Sequence, residues 1–276
     1  MKNLRIAILD MNNGVPNQGM RCIIGLVEQF FTQTEFDGTY DIFDVRQKNE
    51  VPLLSKYDIF ISSGGPGSPY PTGEEWEFKF NEFLDRIFIH NKRNEKKKFA
   101  FLICHSFQLA CYHWECGVVS PRRSTSFGIM PVHKFENGMD EILFEGLPNP
   151  FFAVDSRDFQ VVEPNDKILK EMGAQIVALE KIRPYVELER AVMAIRFSEE
   201  IFGTQFHPEA DAIGMRFHFS QPERKQNIIQ KFGEQKYQMI LNHLDDDEKI
   251  MLTEKTMIPT FLRKSAEALK PQFINV

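Results

Sequence analysis

Three short segments carry residues suited to nucleophilic acyl chemistry. In the first, an apolar run, Phe101-Leu102-Ile103, ends at Cys104 and passes at once into a stretch with helical spacing (Leu109, Ala110, Tyr112, His113). A thiol at such a strand-to-helix turn is held clear of the sheet, and the helix N-terminus favours its thiolate. The backbone N–H of His105 would then point at an oxyanion, although a buried structural cysteine fits the same residues. The second segment is Gly203-Thr204-Gln205-Phe206-His207-Pro208-Glu209. Cysteine catalysis needs a base that takes the thiol proton and later protonates the leaving amine. His207 is of that type, and Glu209 stands two residues on, past a stiffening proline, where a carboxylate can orient the imidazole. A surface turn is the plainer reading of His-Pro-Glu. The third segment, Ser62-Ser63-Gly64-Gly65-Pro66-Gly67-Ser68-Pro69, follows a short apolar run. Glycines there let backbone N–H groups approach a substrate closely. No Lys follows as in a phosphate loop, and the position is wrong for a dinucleotide fingerprint. A tight turn or half of an oxyanion hole remains.

The elements around these segments must bring them to one place. Leu4–Asp10, Tyr40–Val45, Tyr57–Ser62 and Phe99–Ile103 read as strands, the last almost wholly apolar, as buried parallel strands are. Met20–Phe31 and Glu74–His90 carry apolar residues at helical spacing. Strands alternating with helices of this length predict a parallel sheet covered on both faces. Each chemical segment ends a predicted strand, so all three can meet at the carboxyl edge of that sheet. After Cys116, extended segments dominate (127–135, 151–162, 175–179, 191–197, 201–206) and predict a more antiparallel part. From Phe217 the pattern is helical again, over Ile228–Leu244 and Met257–Leu269. The cluster Asp245-Asp246-Asp247-Glu248 between them can favour the start of the second helix.

Composition narrows the function class. With 276 residues the chain can bury a large core without disulfide or metal staples, and ~150 residues per domain gives one or two domains. The net charge of −6 argues against nucleic acid as the main partner. The basic run Lys92–Lys98 reads as a solvated loop. Four cysteines (Cys22, Cys104, Cys111, Cys116) are too few for a disulfide framework, and none forms a Cys-x-x-Cys pair. The N-terminal apolar run is too short for a membrane span and lacks a cleavage pattern. A cytoplasmic protein with no membrane or metal role is expected. The 26 Phe against 6 Tyr and 2 Trp are assigned to core packing.

Taken together, the segments resemble a class I glutamine amidotransferase domain. The resemblance rests on Ser63–Pro69, on Cys104 with Gln108 four residues later, and on Gly203–Glu209; it spans roughly residues 4 to 215. It implies an α/β, flavodoxin-like three-layer sandwich with a central, mostly parallel sheet. A helical extension over 216–276 would pack on the same domain. It also implies that Cys104 attacks the side-chain amide of glutamine, with His207 as acid/base and Glu209 as its orienting carboxylate. Gly65 and His105 would supply the oxyanion hole, and Gly64, Gly67 and Gln108 would contact substrate. No cofactor is implied.

Two departures stand out. The family elbow usually has glycine two residues before and two after the cysteine, where this chain has Leu102 and Ser106. In Asp155-Ser156-Arg157-Asp158-Phe159, Arg157 stands where the family usually has histidine, and it is expected either to meet an acidic part of the substrate or to pair with Asp155 or Asp158. Three other functions share this machinery or its remnant: a free-standing γ-glutamyl amide or peptide hydrolase, a homoserine-type acyltransferase, and a degenerate binding domain. About 60 residues remain outside the resemblance, too few for a synthetase domain, so an ammonia acceptor is expected as a separate subunit.

Overall fold

Alternation along the first strand already specifies a two-sided sheet. In β1 (Leu4–Asp10), Ile6 and Ile8 are buried on one face and Ala7 and Leu9 on the other. A strand buried on both faces belongs inside an α/β sandwich. The computed structural model describes residues 3–185, 187–246 and 249–270. Chain order continues with α1 (Gln18–Gln33), β2 (Gly38–Asp44), α2 (Val45–Lys48), β3 (Ile59–Ser62), α3 (Glu75–Arg93), β4 (Phe99–Ile103) and α4 (His105–His113). Then come β5 (Val118–Lys134), β6 (Phe151–Val162), α5 (Asp166–Met172), β7 (Gln175–Glu180), β8 (Val192–Arg196) and β9 (Ile201–Thr204). Four helices close the described chain: α6 (Ala212–Ser220), α7 (Pro222–Phe232), α8 (Glu234–Leu244) and α9 (Ile250–Ala268).

Among the described residues the strands form one sheet in the order β2-β1-β3-β4-β9-β8-β7-β5-β6. From β2 to β9 every pairing is parallel, the strand order of a flavodoxin-like sheet. Beyond β9 the pairings are antiparallel. One face packs on α1 and α9, through Ile23, Val27, Met257, Ile258, Phe261 and Leu262. The other packs on α3 and α4, through Phe80, Leu84, Ile87, Phe107 and Ala110. Helices α6 to α8 cover the β5–β6 ribbon in a third cluster with Ile129 and Val154. The phenylalanines serve packing: Phe60, Phe80, Phe101, Phe107, Phe202 and Phe206 are almost fully buried.

Several expectations shift. The single helix expected over Ile228–Leu244 is two, parted at Gly233, whose φ of +86° a helix cannot contain. Lys98 is no part of a solvated loop. It is buried at the start of β4, donates to the Tyr57 carbonyl and pairs with Asp58 at 3.5 Å. Asp247 and Glu248 of the acidic cluster lie outside the described residues. Among the described residues no helix is long and apolar enough to cross a membrane.

Candidate active site

The parallel strands end at one edge, and the chain turns there carry the three segments. Cys104 links β4 to α4 with φ +49° and ψ −98°, a backbone conformation that L-residues rarely adopt. Such strain persists only where its surroundings over-determine it. Here the Cys104 N–H donates to the Thr204 carbonyl of β9, and its carbonyl accepts from the Gln108 N–H of α4.

The two unusual elbow residues have clear places. Ser106 is fully buried; its hydroxyl donates to the Ser63 carbonyl at 2.7 Å and lies 2.7 Å from the Ser62 hydroxyl. It ties the elbow to the glycine loop. Leu102 is buried in the core on the α3 and α4 side, and its neighbour in register on β9 is Gly203. A Cβ on Gly203 would lie 2.8 Å from both Phe107 and Phe197, so the bare backbone beside Leu102 makes room for those two rings.

His207 follows β9 and is held by a bridge to β6, its N–H donating to the Val154 carbonyl at 2.8 Å. Its Nδ1 lies 2.8 Å from Glu209 Oε1, and the ring interacts electrostatically with Cys104. Burial disfavours the imidazolium, but Glu209 and Cys104 outweigh it and hold the His207 pKa well above the ordinary histidine value. Glu209 is buried, its Oε2 has no protein partner, and its Oε1 sits against the first turn of α1. A Cβ on Gly19 would come 2.9 Å from that oxygen.

The glycine loop is packed as closely. A Cβ on Gly64 would lie 2.8 Å from His207 Cε1 and 3.4 Å from the Cys104 Cβ. A Cβ on Gly65 would lie 2.2 Å from the Met11 carbonyl oxygen, and Gly67 has φ +103°. Arg46 pins the loop from outside by donating to the carbonyls of Pro66 and Met11 while stacking over Trp76.

These residues line one cavity of about 430 Å³, within the range of small-molecule sites. Cys104, His207, Glu209, Gly64, Gly65, Gly67, Gln108 and Arg157 all border it. The His105 side chain does not; it is buried, and burial together with Arg46 lowers its pKa to about 3.

Two expected substrate contacts are otherwise engaged. The Arg157 guanidinium is buried, with Nε at 3.0 and 3.1 Å from the Asp155 carboxylate and a terminal nitrogen 3.3 Å from Glu180 Oε1. It takes the ion pair with Asp155 that was one of the two expectations, while the residue also borders the cavity. The Gln108 amide donates to Gln205 Oε1 at 3.1 Å.

Residues not singled out from sequence also reach the cavity. Asn12 does so from the turn after β1, Gln18 and Cys22 from α1, and Met215 and His218 from α6. Burial pushes the Cys22 thiol up to about 12. Gln205 does not border the cavity, yet its Nε2 is 3.8 Å from Cys104 Sγ. Its place two residues before His207 was the one available signal.

A family model, glutamine amidotransferase class-I, matches residues 32–216. The chain belongs to that family. Solved structures similar to it include a glutamine amidotransferase from Thermotoga maritima, with 15% identity, 97% of this chain and 100% of that chain covered, and a TM-score of 0.66. A glutamine amidotransferase from Methylobacillus flagellatus has 13% identity, coverage of 98% and 96%, and a TM-score of 0.63. The glutaminase domain of Trypanosoma brucei CTPS with bound acivicin has 16% identity, coverage of 99% and 96%, and a TM-score of 0.55. At these identities the likeness is one of fold. No curated protein sequence matches.

Proposed function

We propose that this family member hydrolyses the side-chain amide of glutamine, with Cys104 as nucleophile, His207 as acid/base and Glu209 as the residue that orients His207. One observation carries the reading: His207 Nδ1 lies 2.8 Å from Glu209, and Cys104, His207 and Glu209 all border a single cavity inside the matched segment. Attack by Cys104 Sγ on the amide carbon forms a carbon–sulfur bond and, after a tetrahedral oxyanion, breaks the carbon–nitrogen bond. The thiol proton passes through His207 to the departing nitrogen, which leaves as ammonia. The raised His207 pKa suits the acid half of that cycle. Water then attacks the thioester while His207 takes its proton and returns it to the sulfur, and glutamate leaves. The backbone N–H groups of Gly65 and His105 form the oxyanion hole in this reading. Gly64 and Gly67 give substrate its close approach to the loop.

In this reading residues 1–215 make the catalytic unit, and the described helices that follow pack on the same domain. The protein is read as cytoplasmic. The ammonia acceptor in this reading is a separate synthetase subunit.

The test is incubation with glutamine and a panel of γ-glutamyl amides, following ammonia, amine and glutamate, with Cys104→Ser as control. Acivicin, found in the trypanosome domain, is the covalent probe for Cys104. Ammonia and glutamate from glutamine, lost in Cys104→Ser, support the reading. Release of amines without ammonia makes the protein a γ-glutamyl hydrolase. No turnover and no labelling leaves a binding domain.

A further inference from the structure

We infer that Gln205 is a catalytic residue of this site: its carboxamide N–H donates to the Cys104 sulfur and steadies the negative charge that forms there as the proton leaves, and Gln108 holds Gln205. The inference rests on Cys104 being the nucleophile proposed above. Gln205 is fully buried directly after β9, and its backbone N–H donates to the Met193 carbonyl at 2.8 Å. Burying a carboxamide is unfavourable unless its polar atoms are matched, and an apolar side chain would fill this volume without that cost. Both ends are matched: Nε2 faces Cys104 Sγ at 3.8 Å, and Oε1 accepts from Gln108 Nε2 at 3.1 Å.

The direction of the chain matters. The opposite orientation of both amides would aim a carbonyl oxygen at the sulfur and repel a thiolate. With Gln108 donating, the Gln205 oxygen is held away and its N–H is left toward Cys104. Hydrogen bonds to charged acceptors are shorter and stronger than to neutral ones, so this contact tightens as the proton leaves. His207 thus takes the proton while Gln205 steadies the charge left behind. Gln108 sits one turn along α4 from Cys104, so the helix that shapes the elbow also anchors the donor. Because Gln205 does not border the cavity, it acts on sulfur and not on substrate.

The test is the pH dependence of Cys104 alkylation by iodoacetamide, read on the Cys104 peptide by mass spectrometry. The other thiols are poor competitors: burial holds Cys22 and Cys116 at about 12 and raises Cys111 as well. In Gln205→Leu the rate below pH 8 should fall roughly tenfold and the half-point of the profile rise by about one unit, as expected for one lost charge-assisted hydrogen bond. kcat for glutamine should fall by a similar factor with KM unchanged. Gln205→Glu, nearly isosteric and available where the leucine variant fails to fold, should move the profile further up by placing a negative charge beside the sulfur. Gln108→Leu should move it the same way by less. An unchanged profile in the Gln205 variants overturns the inference, whatever happens to kcat. An unchanged profile with a raised KM in Gln108→Leu removes Gln108 from the chain and makes it a substrate contact. Alkylation needs no glutamine turnover, so a wild-type protein inert toward glutamine sinks the proposed function and leaves this test standing.

Discussion

Gly64 stands where the catalytic reading is most sensitive to a single atom. A Cβ there would meet His207 Cε1 at 2.8 Å, closer than side chains pack, and the ring cannot give way freely because Nδ1 is bound to Glu209. Gly64→Ala should therefore turn the imidazole away from Cys104 while leaving the fold intact. A fall in kcat of about a hundredfold, the lower end of lost general acid–base catalysis, is expected. Steady-state kinetics beside a thermal melt checks this: unchanged kcat would show that the ring moves at no cost. Ser106 makes the opposite point. A residue that departs from the family pattern is accommodated by two hydrogen bonds across the elbow.

At the scale of elements, β5, β6 and β7 share a buried ion network. Arg157 joins Asp155 to Glu180, Arg122 reaches Glu180 at 2.9 Å, and Ser126 donates to Asp155 at 2.6 Å. Removing one partner of such a network leaves charge buried without compensation, at a cost of about 3–5 kcal/mol. Arg157→Ala should lose stability of that order, measured by urea unfolding. KM for glutamine should change little, since the guanidinium is already paired with Asp155 and Glu180. A raised KM at unchanged stability would restore Arg157 as a substrate contact. The network also stiffens β6, whose Val154 carbonyl holds the His207 backbone.

For the whole molecule, the His207–Glu209 pair links the site to global stability. The folded His207 pKa is raised above its unfolded value of about 6.5. The folded state thus binds that proton more tightly, and the resulting stability is full below about pH 6.5 and fades as pH rises through the folded value. Glu209→Gln removes the leading cause that raises it. The melting-temperature gap between wild type and Glu209→Gln should be widest at pH 5–6.5 and narrow steadily above, read by thermal melts across pH. A gap that widens with pH would contradict the assignment of the proton to His207.

Much of the architecture was legible locally. The short apolar runs of β1 and β4 and the helical spacing of α1 and α3 are local signals, and each reports burial directly. The residue types of Cys104, His207 and Glu209, each at a strand end, are likewise readable, because a parallel sheet sends all its strand ends to one edge. Helices α7 and α8 were blurred into one because apolar spacing runs through Gly233, and the break is a matter of backbone angle. The sequence by itself determined the sheet, its two covered faces and the residue types at its active edge. Only the tertiary structure decided that Arg157 is neutralised within the sheet, that Leu102 fits beside Gly203, and that Gln205 faces the sulfur. The physical reason is range: periodicity and turn chemistry act within a few residues. The Gln108–Gln205–Cys104 chain and the Arg157–Glu180 pair join residues far apart in the chain through contacts of 3 to 4 Å, which exist only once the sheet has assembled.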